Sequence, residues 1–209
     1  MLCFDFHHHD SEKKFGIYNL AFNENVPDFY FSAGIHPNEI EVNLEEKFLW
    51  LKEIFKQKNC VAIGECGLDG LLETDEKLQH EVFAKQIEIA NEIKKPIIIH
   101  CVKRFSELIP YRKKSKVPMI VHGFNKKETI GKELLRHDVY LSFGKSILQN
   151  VPLQEFLGNV PMEKIFLETD NSGLNIEEVY QKISELKNMK IDDLQQKIAE
   201  NLQKIQISV

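Results

Sequence analysis

The chain lacks most of what would mark a membrane, disulfide-stapled or repeat protein. Its 209 residues hold four cysteines, Cys3, Cys60, Cys66 and Cys101, with no C-x-x-C spacing among them. That argues against a zinc ribbon or a disulfide framework and leaves the four thiols as small buried hydrophobes. Long hydrophobic runs are missing too: the longest lies near PIIIHCV at 96–102, far below the ~20 residues a membrane span needs. Low-complexity tracts, internal repeats and linkers are absent, so one domain over 1–209 is expected. The opening MLCFDF shows no basic segment followed by an apolar core and a cleavage site, and a cytoplasmic location is the corresponding expectation. No obligate protein partner is implied. Positive charge is in deficit, with 27 Lys and Arg against 32 Asp and Glu. A net charge of −5 does not advertise a nucleic-acid binder, although carboxylates that ligate metals are neutralised on loading. The densest basic cluster, YRKKSK at 111–116, reads as a solvated helix end and loop.

Histidine, by contrast, is concentrated. FDFHHHD at 4–10 places three histidines between two aspartates. On a strand, side chains alternate, so His7 and His9 share a face with Asp5 while His8 points away. Two imidazoles and a carboxylate on one side form half of a metal shell; an aromatic-rich strand that happens to hold histidines is the plainer alternative.

Periodicity gives the frame around this segment. Short β-rich runs occupy 2–9, 15–22, 29–35, 60–67, 96–101, 118–124, 139–144 and 165–170, several of them continuously apolar, as in strands covered on both faces. Helical spacing fills 43–58, 75–95, 126–137, 175–188 and 191–205. Asn43 stands where it would cap the first helix, and Thr74 is a partial cap for the second, with Lys77 where a capping-box acid would sit. Alternating strands and helices imply parallel strands with right-handed crossovers. The expected fold is a TIM-type (β/α)8 barrel, trimmed: only short stretches near 10–14 and 23–28 join the first three runs, so the first two crossover helices are reduced or absent.

In such a barrel, chemistry sits at the C-terminal ends of strands. Those ends carry His7 and His9 (first run), His36 (third), Glu65 (fourth), His100 (fifth), His122 (sixth) and Asp170 (eighth). One histidine closing an apolar strand is ordinarily a satisfied rim residue; histidines on four strands plus two closing acids point to a metal centre. Imidazole with carboxylate suits Zn²⁺ and Mn²⁺, and carboxylate-rich positions tolerate Mg²⁺. This many ligands exceeds one tetrahedral ion. Two divalent ions ~3.5–4 Å apart, sharing a bridging carboxylate, would use them all and suit phosphate-ester hydrolysis.

The series D-x-H-x-H at Asp5, His7 and His9, GIHP at 34–37, IGECGLD at 63–69, IIIH at 97–100, His122 of HGF and LETD at 167–170 resembles the TatD family of metal-dependent deoxyribonucleases, with a further likeness at AENLQKI near the C-terminus. The resemblance implies that His7, His9 and Asp170 bind one metal, that Glu65 bridges, and that His100 and His122 hold the second. It also implies hydrolysis of DNA phosphodiesters, commonly 3′ to 5′, with Asp170 as proton acceptor. The chain departs from the family in two places. The arginine expected two residues after His100 is Val102, followed by Lys103 and Arg104, so phosphate positioning passes to Lys103 or is lost. After LETD the family's proline- and arginine-bearing loop is replaced by NSGLN. The alternatives are a small-molecule amidohydrolase or phosphoesterase on the same site, and a degenerate metal-binding barrel acting as a binding module.

Other polar residues have humbler expectations. His36 contacts substrate phosphate or structures its turn, and Asp69 orients a ligating histidine or caps a turn. Glu168 shares parity with Asp170 and is placed to support it, while Thr169 faces the other way. Asp10 is a turn residue; His80 and His137 are read as surface residues.

Overall fold

A computed structural model describes residues 2–208; the expected 1–209 domain extends one residue past them at each end. Eight parallel strands follow one another around a single sheet in sequence order. They are β1 (Asp5–His8), β2 (Gly16–Leu20), β3 (Phe31–Ala33), β4 (Cys60–Asp69), β5 (Ile97–Val102), β6 (Met119–Val121), β7 (Tyr140–Phe143) and β8 (Ile165–Leu167). The helices are α1 (Leu44–Ile54), α2 (Glu76–Ile93), α3 (Leu108–Lys114), α4 (Glu128–Arg136), α5 (Val151–Asn159), α6 (Ile176–Leu186) and α7 (Ile191–Lys204). Among the described residues no helix stands between β1 and β2 or between β2 and β3.

The ring closes through a parallel bridge between His8 and Asp170, with Asp170 N–H donating to the His7 carbonyl at 2.9 Å. Phe6 stacks on Phe166 across the same seam, ring centroids 4.2 Å apart. Strands buried on both faces read as runs of Ile, Val and Phe, which is why 97–99 and 165–167 are fully buried. The helices add their apolar faces: Val82, Phe83, Ile87 and Ala90 of α2 are buried where it packs on β4. Asn201 of α7, in the AENLQKI segment, donates to the carbonyls of Met162 and Ile165 at 2.7 and 3.0 Å and so fixes where β8 begins.

Several local expectations are corrected. Asp75, not Thr74, caps α2, accepting from Leu78 N–H at 2.7 Å. Asn43 adopts a left-handed conformation and its side chain makes no capping bond. Helix α5 lies outside the expected helical segments, and of α3 only the end within YRKKSK is anticipated, because Pro110 interrupts the pattern of α3, and Pro152 and Gly158 that of α5. Both prolines lie in the first turn, where a missing N–H costs nothing. Within YRKKSK, Arg112 is not simply solvated: it donates to Asp138 at 2.9 Å and to the Ser115 carbonyl at 3.0 Å.

Asp5 is the main correction. The pairing of β1 with β2 shifts register between Asp5 and His8, so strict alternation does not carry Asp5 to the face of His7. Its buried carboxylate accepts from Thr169 N–H at 2.9 Å and from Thr169 Oγ1 at 2.6 Å, with Lys13 Nζ 3.5 Å away. It therefore joins β1 to the segment after β8. Asp5→Ala, which leaves the Thr169 donors without an acceptor in a dry seam, is expected to lower stability by about 2–4 kcal/mol in urea denaturation. Asp5→Asn, which retains one acceptor, should lose less. Equal midpoints for Asp5→Ala and wild type would show that closure does not rest on this contact.

Candidate metal centre

The strand ends bring His7, His9, His36, Glu65, His100, His122 and Asp170 into one cluster at the C-terminal mouth of the barrel. Glu65 lies at its middle and is 8% exposed. One carboxylate oxygen, Oε2, lies 3.5 Å from His7 Nε2 and 3.7 Å from His9 Nε2. Asp170 Oδ1 completes that set, 3.8 Å from His7 Nε2 and 3.5 Å from His9 Nε2. The other oxygen, Oε1, accepts hydrogen bonds from His100 Nδ1 and His122 Nε2, both at 2.8 Å. His36 Nε2 is 3.4 Å from the same oxygen.

The two halves differ in a way that bears on metal. Donor atoms bound to one ion at ~2.1 Å with tetrahedral angles lie ~3.4 Å apart. The four atoms around His7 have nearly this spacing, too long for good hydrogen bonds and right for a cation between them. His7 is fully buried, and neither ring nitrogen has a hydrogen-bond partner. A buried imidazole is rarely left so. Three overlapping trios each offer ligand atoms within 4.8 Å of one another: His7, His9 and Asp170; His7, Glu65 and His122; His36, Glu65 and His100. The donor set, imidazole nitrogen and carboxylate oxygen without sulfur, fits divalent cations of the Zn²⁺ and Mn²⁺ kind.

A surrounding layer orients these groups. His100 Nε2 is bonded to Asp69 Oδ2 at 2.9 Å, which turns Nδ1 toward Glu65. Asp69 also caps its turn, Oδ1 accepting from Leu71 N–H at 2.8 Å, so both of its expected roles coexist. Glu168 supports His122 rather than Asp170: its Oε1 accepts from Gly123 N–H at 2.6 Å and lies 3.4 Å from His122 Nδ1. Gly123, at φ +56°, makes the turn that aims this N–H.

Three amides in this layer escaped the sequence reading. Asn19 accepts from Glu65 N–H at 2.9 Å. Gln79 accepts from Asp69 N–H at 2.8 Å and donates to the Asp69 carbonyl at 3.1 Å; Gln86 pairs with the backbone of Ile35 in the same manner, at 2.7 and 3.1 Å. The available signal was two glutamines seven residues apart on the apolar face of α2, where an amide must find backbone partners.

The remaining expected residues stand as follows. His8 faces away, beside Tyr18, and burial with the charge of Lys13 pushes its pKa down to about 4. Asp10 Oδ1 accepts from Glu12 N–H at 3.0 Å in a turn. Lys103 follows β5 at φ +56°, exposed, its ammonium without a hydrogen bond or ion pair among the described residues. Arg104 is committed elsewhere, to Glu76 and Glu107. His80 is not a free surface residue: it bonds Tyr111 Oη at 2.7 Å and Glu107 at 3.0 Å, because α3 packs on α2. His137 pairs with Glu133 at 3.1 Å.

Electrostatics follow from the crowding. Burial acts to raise the Glu65 carboxyl, but the charge of His122 and hydrogen bonds from His100, His122 and His36 overcome it and hold Glu65 far below the ordinary carboxylate range. Burial opposes charge on His122, yet Glu65 and Glu168 hold its pKa well above normal. His9 is pushed up to about 9 by the facing carboxylates of Asp170 and Glu65. Burial acts to raise Asp170, but the facing His9 together with the charges of His122 and His7 overcomes it and lowers the carboxyl.

Barrel and donor set together define a class: a metal-dependent hydrolase built on a (β/α)8 frame. A family model described as TatD related DNase matches residues 9–206. An uncharacterized metal-dependent hydrolase of Bacillus subtilis (strain 168), YabD, is 30% identical over 198 residues, covering 85% of this chain and 78% of that protein. A 3′-5′ ssDNA/RNA exonuclease TatD of Edwardsiella piscicida is 29% identical over 152 residues, covering 69% of this chain and 58% of that one, so the match spans less than two thirds of the exonuclease. The fold superposes at TM-score 0.81 and 18% identity on YJJV, a TatD homolog from Escherichia coli k12, over 97% of each chain. The chain belongs to the TatD-related DNase family. It is an enzyme of ester hydrolysis, which sets aside the binding-module alternative.

Because His9 carries a proton at neutral pH in the metal-free protein, loading must displace it. Apparent affinity for Zn²⁺ should therefore rise as pH increases from about 6 toward about 9, with net proton release in calorimetric titrations run in buffers of different ionisation enthalpy. Affinity independent of pH across that range would contradict the protonation state drawn from the geometry.

Proposed function

We propose that the protein is a nuclease of the 3′-5′ exonuclease type, cleaving phosphodiester bonds of single-stranded DNA, with the described barrel acting as one domain and two divalent ions, Zn²⁺, Mg²⁺ or Mn²⁺, as cofactors. The observation that carries this reading is the split use of one carboxylate. Glu65 turns Oε2 toward His7 and His9 and Oε1 toward His100 and His122, as a bridging ligand between two ions would. His7, His9 and Asp170 would hold one ion with Glu65; His100 and His122 would hold the other, with His36 Nε2 close enough to join them or to meet a substrate phosphate. Divalent cations in that cradle supply an activated water and neutralise charge in an in-line displacement at phosphorus.

The chain's own side chains do the rest. Asp170 is 43% exposed whereas Glu65 is 8% exposed, so Asp170 is the carboxylate open to the cleft. Held below the ordinary carboxylate range, it is ionised at neutral pH and accepts the proton of the attacking water on Oδ. Asp69 and Glu168 keep the rings of His100 and His122 turned inward. Lys103, with no internal partner, places its ammonium on a non-bridging phosphate oxygen.

Asp170→Asn should lower turnover of a 3′-labelled single-stranded oligonucleotide at least ~10²-fold. Elemental analysis should find close to two divalent ions in the loaded wild-type protein. Near-normal turnover by Asp170→Asn would remove it from the mechanism. Failure of the wild type to cleave DNA in Mg²⁺, Mn²⁺ or Zn²⁺, with hydrolysis of small amides or esters instead, would favour the small-molecule alternative. Lys103→Ala should weaken DNA binding with metal content unchanged.

A further inference from the structure

The metal centre opens sideways rather than into a closed pocket. A cavity of about 310 Å³ runs from Asp170 past Gly123 and Gly144 to Asn125, Lys145 and Ser146. It adjoins a second of about 650 Å³, lined by Asn125, Lys126, Lys145, Ser146, Gln149 and Asn150. Together they form a groove between the loop after β6 and the loop after β7. Its inner end is floored by glycine: a Cβ on Gly144 would stand 3.1 Å from the Glu168 carbonyl. Beyond the second cavity the next depression sets Glu128 and Glu155 against Lys126 and Lys127, so the excess of positive charge ends there.

Two features of this groove point to a ligand. Lys126 is half-buried and Lys145 exposed, and neither ammonium has a hydrogen bond or ion pair among the described residues. Lys132 of α4 is by contrast matched, by Glu128 at 2.7 Å. Unmatched positive charge inside a cleft, in a chain of net charge −5, attracts an anion. The second feature is the lining of the outer cavity, entirely amide, hydroxyl and ammonium, with no aromatic face on which a base would stack.

We infer that this groove carries the sugar-phosphate backbone of a single strand away from the scissile bond, Lys126 and Lys145 each meeting one phosphate. The inference rests on the nuclease reading above and names the path of its polymeric substrate. Recognition by charge and amides, without stacking, makes the path indifferent to base, and two unmatched ammonium groups provide for about two phosphates.

The test is fluorescence anisotropy with Mg²⁺-loaded protein and a cleavage-resistant phosphorothioate single strand of thymidines, then of adenines, at several salt concentrations. Lys126→Ala/Lys145→Ala should weaken binding at least tenfold for both strands and flatten the slope of log affinity against log salt by about 1.4, two contacts at ~0.7 each. Lys113→Ala/Lys116→Ala, which removes two lysines before β6 at the opposite mouth of the barrel, should change neither. Unchanged affinity or slope in the groove variant, an equal loss in the control variant, or no binding by the wild type would overturn the inference. The two readings fail separately. Selective loss of binding in the groove variant, with no cleavage of an ordinary strand by the wild type, would keep the groove and end the nuclease reading; cleavage by the wild type with binding untouched by the groove variant would do the reverse.

Discussion

Everything at the mouth of this barrel depends on one buried carboxylate. Glu65 is nearly removed from solvent, and charge there is costly unless it is matched. Four strands answer it with imidazoles, on both oxygens at once, and a second carboxylate, Asp170, faces the same rings. Protons can balance this arrangement, as the raised His9 and His122 show, but they leave His7 without a partner. Cations in place of the protons would satisfy every group, and the chemistry of the family follows from that substitution.

Closure of the barrel and assembly of the site are the same event. The bridge that completes the ring pairs His8 with Asp170, and the residues on either side, His7 and Thr169, belong to the cluster and to the Asp5 seam respectively. Ligands from the first and last strands therefore meet only when the sheet has gone full circle. On the opposite side, α2 does comparable work through Gln79 and Gln86, which fasten the ends of β4 and β3 and so place Asp69 and the His36 turn. Helix packing in this protein is thus also ligand orientation.

Much of this was legible beforehand. The strand count and the clustering of histidines and acids at strand ends follow from period and position, which local sequence records directly. The misreadings share a cause. Asp5 was grouped with His7 and His9 because alternation was assumed, and a register shift broke it. Parity along the chain assigns Glu168 to Asp170, whereas β6, two strands away in the ring, presents Gly123 and His122. His80 reads as a surface residue because Pro110 obscures the body of α3, whose Tyr111 bonds it. Each error lies where a partner distant in sequence decided the outcome.

Local sequence alone carries the alternation of strands and helices, the metal-binding assortment of imidazole and carboxylate at the strand ends, and the likeness to a metal-dependent hydrolase family. Folding of the whole barrel is what gives Asp5 to the seam, turns the two oxygens of Glu65 to different rings, and brings unmatched lysines from two loops to one groove. Periodicity along a chain reports which way a side chain points; what it meets there depends on the curvature and register of the closed sheet, which no single segment encodes.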